Sequence, residues 1–377
     1  EACLAAGGIG RGDLDAVAYY EKPIQKFDRI LQTSLGEFPW TGPSFVRAIP
    51  KTWNLNLRIG RAIRRHFGPS CPPVYFGEHH RSHAAIAYYP SGFPSAAVLT
   101  LDGVGEWATA SVGHGEGDRL RLLEEVRFPH SLGLFYSALT AYLGFEVNEG
   151  EWKVMGLAPY GEPRHVEAAR RLLVLEGDGS FRLDLSYFSH QYSARRAFTR
   201  RFERLFGRSA RHPEAEIEPF HKDVAASGQR VLEEAVLHAA RHALRRTGER
   251  RLCMAGGVAL NCVANWKVLR ETECEALFVP PAPGDDGGAL GVALDVAVAV
   301  GGDPRPAPMA TAALGTGYDD DACAGALREA GYDVPPLDGE GMPDAVARIL
   351  AEGKVVGWFQ GRMEFGPRAL GQRSILG

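Results

Sequence analysis

The stretch Leu252-Cys253-Met254-Ala255-Gly256-Gly257-Val258-Ala259-Leu260-Asn261 decides the fold class. Four apolar residues form a short buried strand, the glycine pair turns the chain, and residues 259–269 carry helical spacing. The same order returns downstream, with a strand over 276–279, the turn Gly284-Asp285-Asp286-Gly287-Gly288 and a helix over 289–300. Upstream, Val74-Tyr75-Phe76 reads as a strand entering Glu78-His79-His80-Arg81-Ser82-His83, with helix over 84–89. Strand, turn and helix in alternation place the chain in the α/β class.

Between these segments, residues 96–101 form a continuous apolar strand ending at Asp102-Gly103. Strands over 107–113 and 120–128 suggest a meander. Helical spacing covers 131–143 and 225–244, the latter with Val231, Leu232, Ala235, Ala239 and Ala243 on one face. The segments 15–20 and 53–67 read as strand and helix. Residues 301–308 form a Pro/Gly linker. After Gly315 a new unit begins, with helices over 320–330 and 342–352, a strand over 355–359 and an arginine-rich loop over 361–374.

At 377 residues the chain exceeds one typical core, and its net charge of -4 is small. No Lys/Arg stripe has the density of a nucleic-acid footprint. The arginine-rich stretch 195–211 reads as a solvated helix face. No run of about eighteen apolar residues predicts a membrane span. The six cysteines are scattered without a CxxC pair, which fits reduced thiols in the cytoplasm. The chain opens in helical register without Met and stops just after the arginine loop, so both ends read as cut from a longer protein.

Acids, histidines and glycines gather where strands stop, the usual place for ligands in α/β sheets. His79 and His83 are four apart, so a helix would aim both imidazoles at one ion. The competing reading is a polar helix start. Asp102 ends an apolar strand and could ligate a metal, or it forms an Asp-Gly turn, with Glu106 close behind. Asp285 and Asp286 could bind an ion or cap a helix. Gly256 and Gly257 could bring backbone amides to a phosphate. Lys153 could hold an anion as a point charge, or form a surface ion pair. Arg362, Arg368 and Arg373 could fork onto phosphate, or be solvated.

Taken together, the chain resembles the O-carbamoyltransferases of nodulation-factor and antibiotic biosynthesis. The matching runs are Glu78-His79-His80-Arg81-Ser82-His83-Ala84-Ala85, Leu101-Asp102-Gly103-Val104-Gly105-Glu106-Trp107, Pro129-His130-Ser131-Leu132-Gly133-Leu134-Phe135-Tyr136-Ser137 and Lys153-Val154-Met155-Gly156-Leu157-Ala158-Pro159-Tyr160-Gly161. Later come Gly256-Gly257-Val258-Ala259-Leu260-Asn261-Cys262 and the loop 361–374, in the family's order.

The resemblance implies a duplicated actin- and sugar-kinase-like (ASKHA) α/β domain over 1–315. The start of a threonylcarbamoyl-AMP synthase-like α/β domain would follow over 316–377. It implies an ATP-dependent enzyme that converts carbamoyl phosphate to carbamoyl-adenylate and passes the carbamoyl group to a hydroxyl of a small-molecule acceptor, such as a sugar or natural product. The implied metal ligands are His79, His83, Asp102 and Asp285, with iron(II) the expected divalent ion. Gly256, Gly257, Val258 and Asn261 would hold the nucleotide, with Arg362 and Arg368 binding anions. His80, His130 and Lys153 are the catalytic candidates. The sequence does not set the oligomeric state, a homodimer being compatible with it, and it points to no nucleic-acid or membrane partner.

The family's opening strand and most of its adenylate-forming domain are missing, so this chain alone is expected to be inactive or partly active. Variable loops, including 187–211, would line the acceptor pocket. Three other readings remain. One is a threonylcarbamoyl-transfer enzyme acting on tRNA, which salt-sensitive tRNA binding would support. Another is a sugar kinase of the same fold class. The third is a metal- or nucleotide-binding scaffold without chemistry.

Overall fold

A computed structural model describes residues 2–42, 45, 58–193, 196–302, 307–332 and 341–377. Of the helix expected over 53–67, Ile59–Phe67 is helical and 53–57 lie outside the described residues, as do 194–195 and 303–306. The chain divides into two compact units, Gly10–Pro308 and Glu1–Ile9 with Met309–Gly377.

Among the described residues the larger unit has nine strands: β1 (Val17–Tyr19), β2 (Val74–Phe76), β3 (Ser95–Leu101), β4 (Ala108–Glu116), β5 (Arg119–Arg127), β6 (Leu173–Leu175), β7 (Phe181–Leu183), β8 (Arg251–Ala255) and β9 (Ala276–Phe278). Five form the main sheet, in the order β5-β4-β3-β8-β9. The expected meander is its antiparallel half, β3 with β4 and β4 with β5. β3, β8 and β9 run parallel. The fold is thus mixed α/β with a parallel centre, as the alternation predicts.

β3 is buried along almost its whole length because helices cover both faces of the sheet. Ala97, Leu99 and Leu101 join Leu252 and Met254 in the main core, packed with the Leu132–Tyr142 and Pro219–Thr247 helices. The alternate residues meet the His79–Tyr88 helix, and Thr100 hydrogen-bonds His80 there. A second helix, Gly288–Ala299, lies on the first. Their approach is so close that a Cβ at Gly291 would stand 2.0 Å from the Ser82 carbonyl.

Three sequence expectations change. The helix read over 259–269 is a 3-10 turn, Gly257–Leu260, followed by a helix over Cys262–Glu271. Asn261 separates them, because its side chain accepts the Ala264 amide at 3.0 Å and caps the second helix. Within 187–211, Tyr187, Phe188, Phe198, Phe202 and Phe206 are core residues. Arg211 is buried rather than solvated, with Nε donating to the Leu143 carbonyl at 2.7 Å. The β6–β7 hairpin and the Pro23–Gly36 helix were not anticipated. Three-residue strands carry too little alternation to stand out.

In the smaller unit, β10 (Val356–Phe359) pairs antiparallel with β11 (Arg373–Leu376). The arginine-rich segment is the connection between them.

Candidate metal and nucleotide site

His79 opens its helix directly after β2, and His83 follows one turn on. Asp102 is the first residue beyond β3, and Gly256 the first beyond β8. Because β3 and β8 are parallel neighbours, with Thr100 opposite Ala255, both ends open at the same edge of the sheet. Gly256 turns the chain with φ +91°, and a Cβ there would lie 2.2 Å from the Leu101 carbonyl. Its amide donates to the Pro283 carbonyl at 2.7 Å, which brings the Asp285 turn to the same place.

The result is a cluster of His79, His83, Asp102 and Asp285 whose candidate ligand atoms all lie within 4.8 Å of one another. The two Nε2 atoms are 3.0 Å apart. His79 Nε2 lies 3.0 Å from Asp102 Oδ2 and 3.3 Å from Asp285 Oδ1. His83 Nε2 lies 3.5 Å from Asp285 Oδ1. Ligands about 2.1 Å from one cation and about 90° apart would sit about 3.0 Å from each other. Two imidazoles and two carboxylates at these spacings fit a divalent transition metal. The histidines and Asp102 are buried, while the Asp285 side chain is 62 % exposed, so the cluster opens to solvent on that side. The N-cap of the following helix is Gly287, not Asp285, while Asp286 bonds backbone amides of its own turn.

The electrostatics match this arrangement. Burial alone would keep His79 neutral, but hydrogen bonds to Asp102 and Asp285 outweigh it and raise the imidazole to about 10. Burial would also raise both aspartates, yet the histidines hold them well below the usual carboxylate range. In the metal-free cluster a proton thus does what a cation would do. Neither histidine's buried Nδ1 has a partner among the described residues.

Backbone groups complete the frame. Gly257 donates its amide to Asp102 Oδ1 at 2.9 Å. Glu106 accepts the His79 amide at 3.1 Å and the Lys22 amide at 2.7 Å, anchoring the helix start. Gly256, Gly257 and Val258 form the turn beside the cluster. Asn261 is committed elsewhere. Its Nδ2 donates to Gln229 Oε1 at 2.9 Å, and its Oδ1 accepts from Gln229 Nε2 at 3.0 Å as well as from Ala264. Tyr136, Glu233 and Lys267 extend this buried network. Gln229 carries no motif, and only its partners reveal it.

The catalytic candidates lie in different surroundings. His80 is buried, its Nδ1 lies 2.6 Å from Thr100 Oγ1, and burial pushes it down to about 3. His130 is half-buried, and burial lowers its pKa. Its Nδ1 accepts the Leu183 amide at 3.2 Å, so the neutral ring carries its proton on Nε2. It is tied to the cluster through Ser131, whose hydroxyl donates to the Asp102 carbonyl at 2.9 Å. Lys153 is exposed on the Glu151–Leu157 helix, with Nζ 5.6 Å from the Trp152 ring centre.

Arg362 and Arg368 belong to the smaller unit. Arg362 donates to the carbonyls of Leu314 and Gly315, each at 2.9 Å. Arg368 is half-buried. The residue organising this loop is Glu364, which is buried and accepts the amides of Leu370 at 2.7 Å and Gln372 at 2.8 Å. Sequence reading passed over it in favour of its arginine neighbours.

Comparison with known proteins agrees with the motif reading. The carbamoyltransferase N-terminus family matches residues 1–294, and the carbamoyltransferase C-terminus family matches residues 347–377. An uncharacterized protein of Synechocystis is 44% identical over all of this chain and 63% of its own length. Nodulation protein NolNO of Sinorhizobium fredii is 34% identical over 99% of this chain and 52% of its own length. The 3'-hydroxymethylcephem-O-carbamoyltransferase of Streptomyces clavuligerus is 37% identical over 33% of this chain and 22% of its own length. The chain therefore spans roughly half to two thirds of the first two relatives. Among solved structures, HypF of T. kodakarensis aligns at 15% identity and TM-score 0.35, over 65% of this chain and 39% of that one. Among the described residues no helix is long and apolar enough to cross a membrane. The chain belongs to the carbamoyltransferase family.

Proposed function

We propose that this chain is the carbamoyl-transferring part of an ATP-dependent O-carbamoyltransferase. Carbamoyl phosphate would be converted to carbamoyl-adenylate, and its carbamoyl group passed to a hydroxyl of a small-molecule acceptor. The observation that carries this is the convergence of His79, His83, Asp102 and Asp285 beside the Gly256-Gly257 turn, in a chain of this family. The five-stranded sheet, half antiparallel and half parallel, suits an actin- and sugar-kinase-like domain.

Transfer passes through a tetrahedral centre with negative charge on oxygen. His79, His83, Asp102 and Asp285 would hold a divalent ion, with iron(II) the preferred candidate. Such an ion, when bound, supplies Lewis-acid stabilisation of oxygen charge. The turn Gly256-Gly257-Val258 would lie against the adenylate, its lack of side chains at the two glycines letting the backbone approach closely while their amides stay on Pro283 and Asp102. Asn261 would act through the turn it closes, since its amide is held by Gln229. His130 suits proton delivery better than His80. Its Nε2 carries the proton and the ring is half-buried, whereas His80 is enclosed and bonded to Thr100. Lys153, exposed beside Trp152, would steer anionic substrate as a point charge. Arg362 and Arg368 would serve the adenylate-forming step.

The test supplies carbamoyl phosphate, ATP, iron(II) without oxygen, and a panel of hydroxyl acceptors. The protein is used as this chain and as a longer polypeptide matching its relatives. The expected result is AMP together with an acceptor heavier by one carbamoyl group. A phosphorylated acceptor, or no nucleotide turnover by the longer polypeptide with metal bound, would overturn the proposal.

A further inference from the structure

Arg29 lies on the Pro23–Gly36 helix, half-buried. Its guanidinium stacks over the Phe128 ring, 5.2 Å from the centre. Its Nε is buried and has no hydrogen-bond partner among the described residues. Two carboxylates, Glu106 and Glu21, act on it electrostatically. Both are engaged elsewhere. Glu21 Oε2 takes Lys26 Nζ at 2.7 Å, and Glu106 takes the amides of Lys22 and His79. Burial pushes Arg29 down to about 10, which leaves it a cation at neutral pH.

A buried cation with an unfilled donor works against folding. A substrate anion engaging the guanidinium would offset this cost, and the planar fork of arginine matches the two oxygens of a phosphoryl or carboxylate group. The position is suitable. Glu106, which acts on Arg29 electrostatically, also accepts the His79 amide at 3.1 Å. Phe128 begins the loop that carries His130, and this loop is tied to the turn after β3 at both ends. The Phe128 amide donates to the Trp107 carbonyl at 2.8 Å, and Ser131 holds the Asp102 carbonyl. Glu106 and Glu21 would weaken a loosely held anion, so a ligand must engage the guanidinium directly.

We propose that Arg29 is an oxyanion-binding residue beside the four-residue cluster, its guanidinium taking a phosphoryl or carboxylate group of a substrate. The proposal rests on the carbamoyl-transfer reading for which substrates are present. The oxyanion is either the phosphoryl group of the donor or an anionic group on the acceptor.

The test titrates the protein with inorganic phosphate, carbamoyl phosphate and acetate, comparing it with Arg29→Lys and Arg29→Met. If the donor fills the site, Arg29→Met weakens phosphate and carbamoyl phosphate binding about tenfold or more, and Arg29→Lys weakens it less. If the acceptor fills it, the loss appears with acetate alone. In either case the ligand-free Arg29→Met protein melts at or above the wild-type temperature, because an unfilled charge has been removed. Unchanged binding of all three probes overturns the proposal, as does a lowered melting temperature with unchanged binding. Arg29-dependent phosphate binding without carbamoyl transfer by the longer polypeptide would sink the enzymatic reading and keep Arg29. Carbamoyl transfer with the same KM values in wild type and Arg29→Met would do the reverse.

Discussion

Asp102 and Gly257 are 155 residues apart, yet the Gly257 amide donates to Asp102 Oδ1 at 2.9 Å. The other carboxylate oxygen lies 3.0 Å from His79 Nε2. One side chain thus links the glycine turn to the imidazole pair. Such a bond holds the carboxylate in a fixed orientation for a cation, because its second oxygen cannot rotate away.

The four-residue cluster should bind divalent metal and release protons as it does so. His79 is raised to about 10 in the metal-free protein, so at neutral pH a cation must displace its proton. Calorimetry at pH 7.0 in buffers of different ionisation enthalpy is the measurement, and the expected outcome is net proton release with affinity rising with pH. The sign for stability runs the other way. The raised pKa stabilises the metal-free fold fully below about 6.5, and this contribution fades as pH rises through about 10. Asp285→Ala should lower metal affinity by at least about 100-fold, since even outer partners of ligands are worth about 10–100-fold.

Gly291→Ala should damage the site without touching it. The added Cβ would stand 2.0 Å from the Ser82 carbonyl, so the helices carrying Gly291 and His83 must separate. Urea unfolding should show a loss of about 2 kcal/mol or more. Metal affinity should fall as well, because Ser82 directly precedes His83. Unaltered affinity in a folded Gly291→Ala protein would contradict the view that this packing sets the histidine positions.

Acid should weaken the fold through His190. Burial pushes its imidazole down to about 4, and its Nε2 lies 3.1 Å from the Pro129 carbonyl. The unfolded chain binds a proton there below about 6.5 while the folded chain stays neutral, so stability is full above about 6.5 and falls towards about 4. Denaturant midpoints of wild type and His190→Phe across this window are the check. The variant should show a flatter pH dependence.

Gln229→Leu should leave Asn261 and the Tyr136 hydroxyl short of buried partners. A loss of about 1–3 kcal/mol is expected. A double-mutant cycle with Asn261→Leu should return a coupling of about 1 kcal/mol or more. If the two losses simply add, the paired amides do not act as a unit.

The arginine loop shows where local reading goes astray. Arg362, Arg368 and Arg373 were conspicuous because charge among glycines stands out in sequence. Yet Arg362 bonds backbone carbonyls, and the buried Glu364 gathers the amides that shape the loop. A glutamate is unremarkable in sequence, and its importance comes from burial, which a sequence does not display. Gln229 and Arg29 escaped for the same reason.

The sequence by itself determined the α/β alternation, the apolar β3 ending at Asp102 and the helical spacing that puts His79 and His83 on one face. Those features depend on periodicity and nearest neighbours, which are written along the chain. Only the tertiary structure decided that the Asp285 turn meets that face, that Gly257 holds Asp102 and that Asn261 pairs with Gln229. These contacts arise because β3 and β8 pair in parallel across more than a hundred intervening residues, and such pairing follows from burying both faces of the sheet rather than from any local pattern.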